Sequence, residues 1–443
     1  MRVLNVLFPI ILMTSLKSKP VSPHKTPEYY RHYEGYKIID VSIGSPEKYK
    51  QIRNHFAPEI EVIGKGSHDP MSLRILMAPQ QDLEFFEYLR VENMPFKVVN
   101  ENVAESIRRE HAVQRLTRSP HENVIDFESY QRLDAINSYM EYLAREYAHQ
   151  VNIVNLGKSY EGRALRAIHI SGEHVNGALS KKPLIFIDAG MHAREWISHA
   201  TALYILHQLV ENSSSHRYEL DMFDWLIWPV VNPDGYEYSH TRERFWRKSR
   251  QRNGGTTSCV GVDLNRNFDF HWSQVGSSDN PCDIDYHGPK AFSEPEAMAM
   301  RDLLFHINST CQMYLTLHAY GNYLLYPWGY ESSLPSNWRY HDAVARSGAN
   351  AIKRSSGTSY TVGSSAKALY AASGASDDFA YGAANIPVAL CMELPSGGNG
   401  FDPAPKEILP IVAESWLGIR AMAREIREHK KYCFSSGYPL NNG

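Results

Sequence analysis

At 443 residues the chain is longer than one small domain and is expected to fold as two. Hydrophobic residues at 43% and aromatics at 12% suit a buried core and exclude a disordered chain. A formal net charge of -3, with both signs interspersed, points away from nucleic acid as a partner.

At the N-terminus, Arg2 precedes an apolar stretch from Val3 to Met13, and polar Ser15 to Pro20 follow. The apolar part is too short to span a bilayer and reads as a signal peptide, residues 1–18, ending near Ser18. No other run of about 20 apolar residues occurs, so a secreted protein without a membrane span is expected. Asn212-Ser213-Ser214 and Asn308-Ser309-Thr310 are glycosylation sequons for that compartment. Five cysteines are few for a disulfide-built scaffold. Cys259 and Cys282 flank a loop-like stretch and could form one bridge, while the pairing of Cys311, Cys391 and Cys433 stays open. No CxxC spacing occurs, which argues against a thiolate metal site.

Between residues 36 and 102 strand and helix patterns alternate. Tyr36 to Ile43 and Glu59 to Lys65 read as strands. The helix between them opens at Ser45-Pro46 and carries Tyr49, Ile52 and Phe56 at helical spacing. Leu73 to Met77, Asp82 to Val91 and Phe96 to Val99 repeat strand, helix, strand. Two βαβ units in succession predict a small α/β sandwich of the split-βαβ type. A charged helix from Val103 to Leu116 follows, with Arg108, Arg109, Arg115 and Arg118 along or just beyond it. Ser119 to Asn123 then reads as loop. Basic residues in an exposed connection are common sites of proteolytic nicking, so residues 19–118 read as a separable module.

From Tyr130 a larger α/β pattern begins. Leu133, Ile136, Met140 and Leu143 mark a helix. Strands are predicted at Val151–Leu156, Leu165–Ile170, Leu184–Ile187 and Trp225–Val231, with a helix from Trp196 to Val210 between the last two. Met313–Leu317 and Pro387–Met392 are later strands, and Ser293-Glu294-Pro295-Glu296 reads as a capping-box helix start. The mixture predicts an α/β fold with a mixed central sheet flanked by helices.

Chemistry concentrates after the strand ending at Ile187. Asp188-Ala189-Gly190 leads into His192-Ala193-Arg194-Glu195-Trp196, where a histidine and a glutamate three residues apart can turn their donor atoms toward one point. Zinc accepts imidazole nitrogen and carboxylate oxygen together, and a catalytic site needs three such ligands. His318, delivered at the C-terminal end of Met313–Leu317, would be the third, because ligand groups in α/β sheets collect at that edge. Glu393 would reach the same edge from Pro387–Met392, as a carboxylate able to move protons beside the metal. Arg194, Arg247 and Arg266 are guanidinium groups suited to a substrate carboxylate or a developing oxyanion.

These motifs resemble the zinc metallocarboxypeptidases of the pancreatic A/B type over nearly the whole chain. The matching pieces are His-Ala-Arg-Glu-Trp (192–196), Asn-Pro-Asp-Gly-Tyr (232–236), Arg-Phe-Trp-Arg-Lys (244–248) and Gly-Val-Asp-Leu-Asn-Arg-Asn (261–267). Tyr-His-Gly (286–288), Ser-Glu-Pro-Glu (293–296), Leu-His-Ala-Tyr (317–320), Tyr-Ala-Ala-Ser-Gly (370–374) and Met-Glu-Leu (392–394) complete them. The resemblance implies one Zn2+ held by His192, Glu195 and His318, with Asp263 orienting His192. It implies Glu393 as general base and Arg247 as oxyanion holder. Asn265 and Arg266 would grip the substrate's C-terminal carboxylate, Arg194 would lie along the substrate cleft, and Tyr370 would be the mobile lid. Residues 19–118 would be an activation propeptide removed by a trypsin-like protease near Arg118, leaving residues 119–443 as a catalytic domain, expected to be a monomer. The partners implied are peptide and protein C-termini. Asp377 matches a pocket-floor position that is aspartate in B-type members, which implies release of terminal Lys or Arg. Departures from the family pattern are Ala375 in place of a common glycine, and Pro395 with a glycine-rich loop over Ser396 to Asn399.

Overall fold

The computed structural model describes residues 32–56, 60–66, 71–117, 125–172, 182–252, 257–398 and 400–435. The expected signal peptide, the expected cleavage point at Arg118 with its loop, and the side chain of Cys433 lie outside the described part.

The first elements are β1 (Lys37–Ser42), α1 (Pro46–Phe56), β2 (Ile60–Lys65), β3 (Ser72–Met77), α2 (Asp82–Val91), β4 (Phe96–Asn100) and α3 (Val103–Thr117). The four strands form an antiparallel sheet in the order β2-β3-β1-β4. Successive side chains of a strand point to opposite faces, and both faces of this sheet are covered. Ile39, Val41, Ile75 and Met77 pack with Ile52, Phe56, Phe85 and Leu89 of α1 and α2. Ile38, Ile63 and Leu76 pack instead with Val103 and Ile107 of α3 and with Phe245 and Phe401, far along the chain.

The larger body holds α4 (Leu133–Glu146), β5 (Val151–Lys158), β6 (Ala164–Ile170), β7 (Leu184–Ala189), α5 (Trp196–Val210), α6 (Arg217–Met222), β8 (Asp224–Trp228) and α7 (Pro233–Thr241). It continues with α8 (Pro295–Ile307), β9 (Cys311–Ala319), β10 (Tyr323–Tyr326), α9 (Trp338–Ser356), β11 (Thr361–Ser364), α10 (Ser365–Ala368), α11 (Ser376–Gly382), β12 (Ala389–Leu394) and α12 (Pro405–Ser435). Eight strands make one mixed sheet in the order β11-β10-β12-β9-β7-β8-β6-β5. Its middle strands β12, β9, β7 and β8 run parallel, and β7 and β8 are buried throughout, as parallel strands between helix layers must be. One face packs Ile185, Ile187, Leu315 and Leu390 against α4, α5, α9 and α12. The other packs Leu184, Phe186 and Tyr314 against Met300, Leu303 and Leu304 of α8 and Phe379 of α11. The chain thus has the α/β architecture of a mixed sheet flanked by helices.

Several boundaries differ from expectation. The strand expected to reach Val231 ends at Trp228, because Pro229 has no N–H for the ladder. β9 and β12 run two residues further than expected, so His318 and Glu393 lie inside strands rather than beyond them. The capping box at 293–296 does not form. Glu294 is the N-cap residue without a side-chain cap bond, and Ser293 Oγ donates to Glu294 Oε1 at 2.9 Å. Cys259 and Cys282 are bridged, and Cys311 and Cys391 are buried and unbridged. Among the described residues, no helix is long and apolar enough to cross a membrane.

Candidate active site

Parallel pairing of β7, β9 and β12 brings three strand ends side by side. Glu393 stands opposite His318 in the β12–β9 register, and Ala189 opposite Leu317 in the β7–β9 register. The turn after β7, with Gly190 at φ 71°, then carries His192 and Glu195 over the end of β9. Gly190 is required here for space as well, since a Cβ would fall 1.7 Å from the His199 ring.

His192, Glu195 and His318 are buried, and their ligand atoms all lie within 4.8 Å of one another. Glu195 Oε1 is 2.7 Å from His192 Nδ1, and Oε2 is 3.1 Å from His318 Nδ1. The two Nδ1 atoms are 3.0 Å apart. The outer ring nitrogens determine what those inner nitrogens carry. His192 Nε2 lies 3.1 Å from the Asp263 carboxylate, an acceptor, so Nε2 bears the proton. Thr316 Oγ1 donates to Asp188 Oδ1 at 3.1 Å and so accepts from His318 Nε2 at 3.0 Å. Both Nδ1 atoms therefore present lone pairs to the same point, together with a carboxylate. Such an arrangement repels itself unless a cation sits between the donors, and two nitrogens with one carboxylate is a set zinc takes. The residues fit a single zinc ion, and the bonds to Asp263 and Thr316 fix ring tautomer and orientation.

Asp263 is the hub of this end of the sheet. Besides His192 it accepts from Arg247 Nε and Nη2 at 3.0 and 2.8 Å and from the Asn265 N–H at 3.0 Å. Although burial pushes its pKa up, Arg247 and His192 hold the carboxyl well below the usual range. Arg247 in turn stays firmly protonated, with Nη1 3.7 Å from Glu195. Glu393 has no such cation bonded to it among the described residues. Burial, then the Glu195 carboxylate, push its pKa up to about 7.

The remaining expected residues fall around this centre. Arg266 is braced by Nε on the Gly276 carbonyl at 2.9 Å and Nη1 on the Asn265 carbonyl at 2.7 Å. Asn265 Oδ1 accepts from the Ser376 N–H at 2.9 Å, joining it to the start of α11. Asp377 and Asp378 occupy the first turn of α11, both buried. Asp378 accepts from the Gly329 and Tyr330 N–H groups, a structural use. Asp377 makes no ion pair among the described residues, and burial raises its pKa. Tyr370 is exposed and within electrostatic reach of Arg247. Ala375 is extended at φ -84°, a backbone that needs no glycine. The Arg194 guanidinium donates to the Ile63 carbonyl of β2 at 3.1 Å, and to Glu61 at 3.4 Å. Thr316 and Asp188 were missed in the sequence, although Thr316 lies two residues before His318 and so shares its face of β9.

Fold and site together define a metal-dependent hydrolase whose metal ligands sit at the C-terminal edge of a parallel sheet core. The sequence profile described as zinc carboxypeptidase matches residues 136–418, and the chain belongs to that family. It is 39% identical over 305 residues to a carboxypeptidase B of Astacus astacus, covering 69% of this chain and 99% of that one. It is 34% identical over 437 residues to zinc carboxypeptidase A 1 of Drosophila melanogaster, covering 96% and 98%. The solved carboxypeptidase A of Helicoverpa armigera superposes with a TM-score of 0.80 at 31% identity, covering 89% of this chain and 98% of that one. The protein is a zinc-dependent metallocarboxypeptidase.

Proposed function

We propose that the protein is a secreted zymogen whose mature part releases lysine or arginine from the C-termini of peptides and proteins. The observation that carries the basic preference is Asp377, a carboxylate buried beside the Asn265–Arg266 pair with no cation bonded to it among the described residues. Backbone N–H groups of Asp377 and Asp378 meet this carboxylate, and a substrate's terminal guanidinium or ammonium would add the missing counter-charge. Phe or Leu would not. Relatives named carboxypeptidase A and carboxypeptidase B both match this chain, so an aromatic or aliphatic preference is the second reading.

His192, Glu195 and His318 hold zinc in this reading, which when bound supplies a Lewis acid and makes water nucleophilic near neutral pH. Glu393 takes the proton of the attacking water and returns it to the leaving amine; burial, which favours the neutral acid, aids its holding that proton. Arg247 faces the developing oxyanion, held rigidly by Asp263 so that little reorganisation is needed. Asn265 and Arg266 grip the terminal carboxylate, and Tyr370, exposed at the rim, closes over the bound residue.

Residues 1–18 are taken as the signal peptide, 19–118 as the propeptide of split-βαβ type with its linker helix, and 119–443 as the catalytic domain. Latency is supported by how the N-terminal elements engage arginines beside the zinc motif. β2 takes Arg194, and Glu110 of α3 pairs with buried Arg244 at 2.7 Å. A trypsin-like protease cutting near Arg118 would release the active form. The test is one assay. Protein before and after limited trypsin is given matched substrates ending in Arg, Lys, Phe and Leu, with N-terminal sequencing of the product. Activity that rises on cleavage and favours Arg and Lys is expected. Preference for Phe or Leu would remove the basic reading, and equal activity before and after cleavage would remove latency.

A further inference from the structure

The β2–β3 pairing contains one irregularity, and it lies where β2 meets the catalytic body. Val62 pairs with Ile75 and Gly64 with Arg74, so Ile63 is an extra residue on β2, a bulge that bends the strand and frees its groups from the ladder. The freed groups are used across the contact. The Ile63 side chain is fully buried with Phe245 and Phe401, and its carbonyl accepts from Arg194 Nη2 at 3.1 Å. Gly64 follows, directly against the Tyr320 ring. A Cβ at Gly64 would lie 2.5 Å from Tyr320 Oη, closer than real Cβ atoms come, and 3.0 Å from Cζ. The same Cε1–Cζ–Oη end of the ring is met by Gly400, at φ 126°, where a Cβ would lie 2.5 Å from Cε1 and 2.7 Å from Cζ.

Two glycines, one from the N-terminal sheet and one from the glycine-rich loop after β12, thus crowd the hydroxyl end of Tyr320. Phe401 meets its ring edge-on at 4.9 Å, and Arg74, bonded to Asp40 at 2.7 and 2.8 Å, lies 5.8 Å from its centroid. Tyr320 is two residues beyond His318, and Arg194 is next to Glu195. The two catalytic-body groups that the bulge grips thus lie one and two residues along the chain from zinc ligands.

We propose that the Ile63–Gly64 bulge is the docking key of the N-terminal module, and that Gly64 is the residue on which its hold over the active-site face depends. This rests on the latency reading above. A side chain at position 64 displaces either β2 or the end of the Tyr320 ring, and the ring end is already crowded by Gly400. The Arg194–Ile63 bond is then lost with the contact, and the module stands off the site without being cut.

The experiment uses uncleaved full-length protein carrying Gly64→Ala or Gly64→Val. Activity before trypsin should rise over wild type by roughly tenfold or more for Val, with Ala between, as expected of overpacking at a close contact. After trypsin all three should have the same kcat/KM. Hydrogen exchange should show β1 and β3 still protected, so that undocking is distinguished from unfolding of the module. Unchanged latency in both variants, or activity gained only when β1 and β3 also lose protection, would overturn the role of Gly64. If uncleaved wild type is already as active as cleaved protein, the latency reading fails instead, whatever the variants do.

Discussion

The zinc cluster and the proposed pocket around Asp377, in the first turn of α11, hold their buried groups by different means. At the cluster every group is fastened. His192 is held by Asp263, His318 by Thr316, Arg247 by two bonds to Asp263, and Glu195 Oε2 by the Ala319 N–H at 3.1 Å. Asp377 is equally buried and meets backbone N–H groups of its own helix, but it has no ion pair among the described residues, and its pKa is raised by burial. Ligands that must meet a small cation keep their geometry through neighbours, whereas a group without a counter-charge is what the proposed selection of a basic terminus requires.

The comparison breaks most severely at Glu393, which belongs to the centre yet shares the raised pKa of the pocket. Glu393→Gln should keep its zinc and lose roughly 10²–10⁴ in kcat, since an amide cannot move protons. Metal analysis alongside steady-state kinetics checks this, and near-normal kcat would remove Glu393 from the chemistry. Next in size is Asp377→Ile. It should lose roughly ten- to two-hundredfold in kcat/KM for Arg and Lys substrates, the worth of a charge-assisted hydrogen bond, and gain for Leu and Phe. A uniform loss across all four substrates would mean that Asp377 supports the fold rather than selecting.

Two smaller changes probe the fastening itself. Asp263→Asn should weaken zinc by roughly 10–100-fold in a chelator competition, as outer partners of metal ligands do, with an added loss of kcat through Arg247. Thr316→Val removes only the neutral partner of His318 and should cost zinc binding less, about 1 kcal/mol or roughly fivefold. A Thr316→Val effect larger than that of Asp263→Asn would invert the ranking and make the β9 side the principal anchor.

Much of the centre was legible in the sequence because its parts are short-range. His192 and Glu195 are three residues apart on one turn, and strand patterns placed His318 and Glu393 near one edge. The C-terminal ends of both strands were placed two residues early, since Leu317-His318-Ala319 and Met392-Glu393-Leu394 continue the ladder through polar residues that composition alone would end on. The short strands β10 and β11 carried too few residues for a period to register, and the bulge at Ile63 left no mark in the alternation of β2.

The sequence by itself determined the donor types, their order and the strands that carry them, because side-chain chemistry and hydrophobic period are local properties. Only the tertiary structure decided that Thr316 and Asp188 set the His318 tautomer, that Asn265 reaches the first turn of α11, and that the Ile63 carbonyl accepts from Arg194. Each of these is a contact between residues two apart on a strand or more than a hundred apart in the chain. Their formation depends on which strand lies beside which and in what register, and no local pattern encodes that.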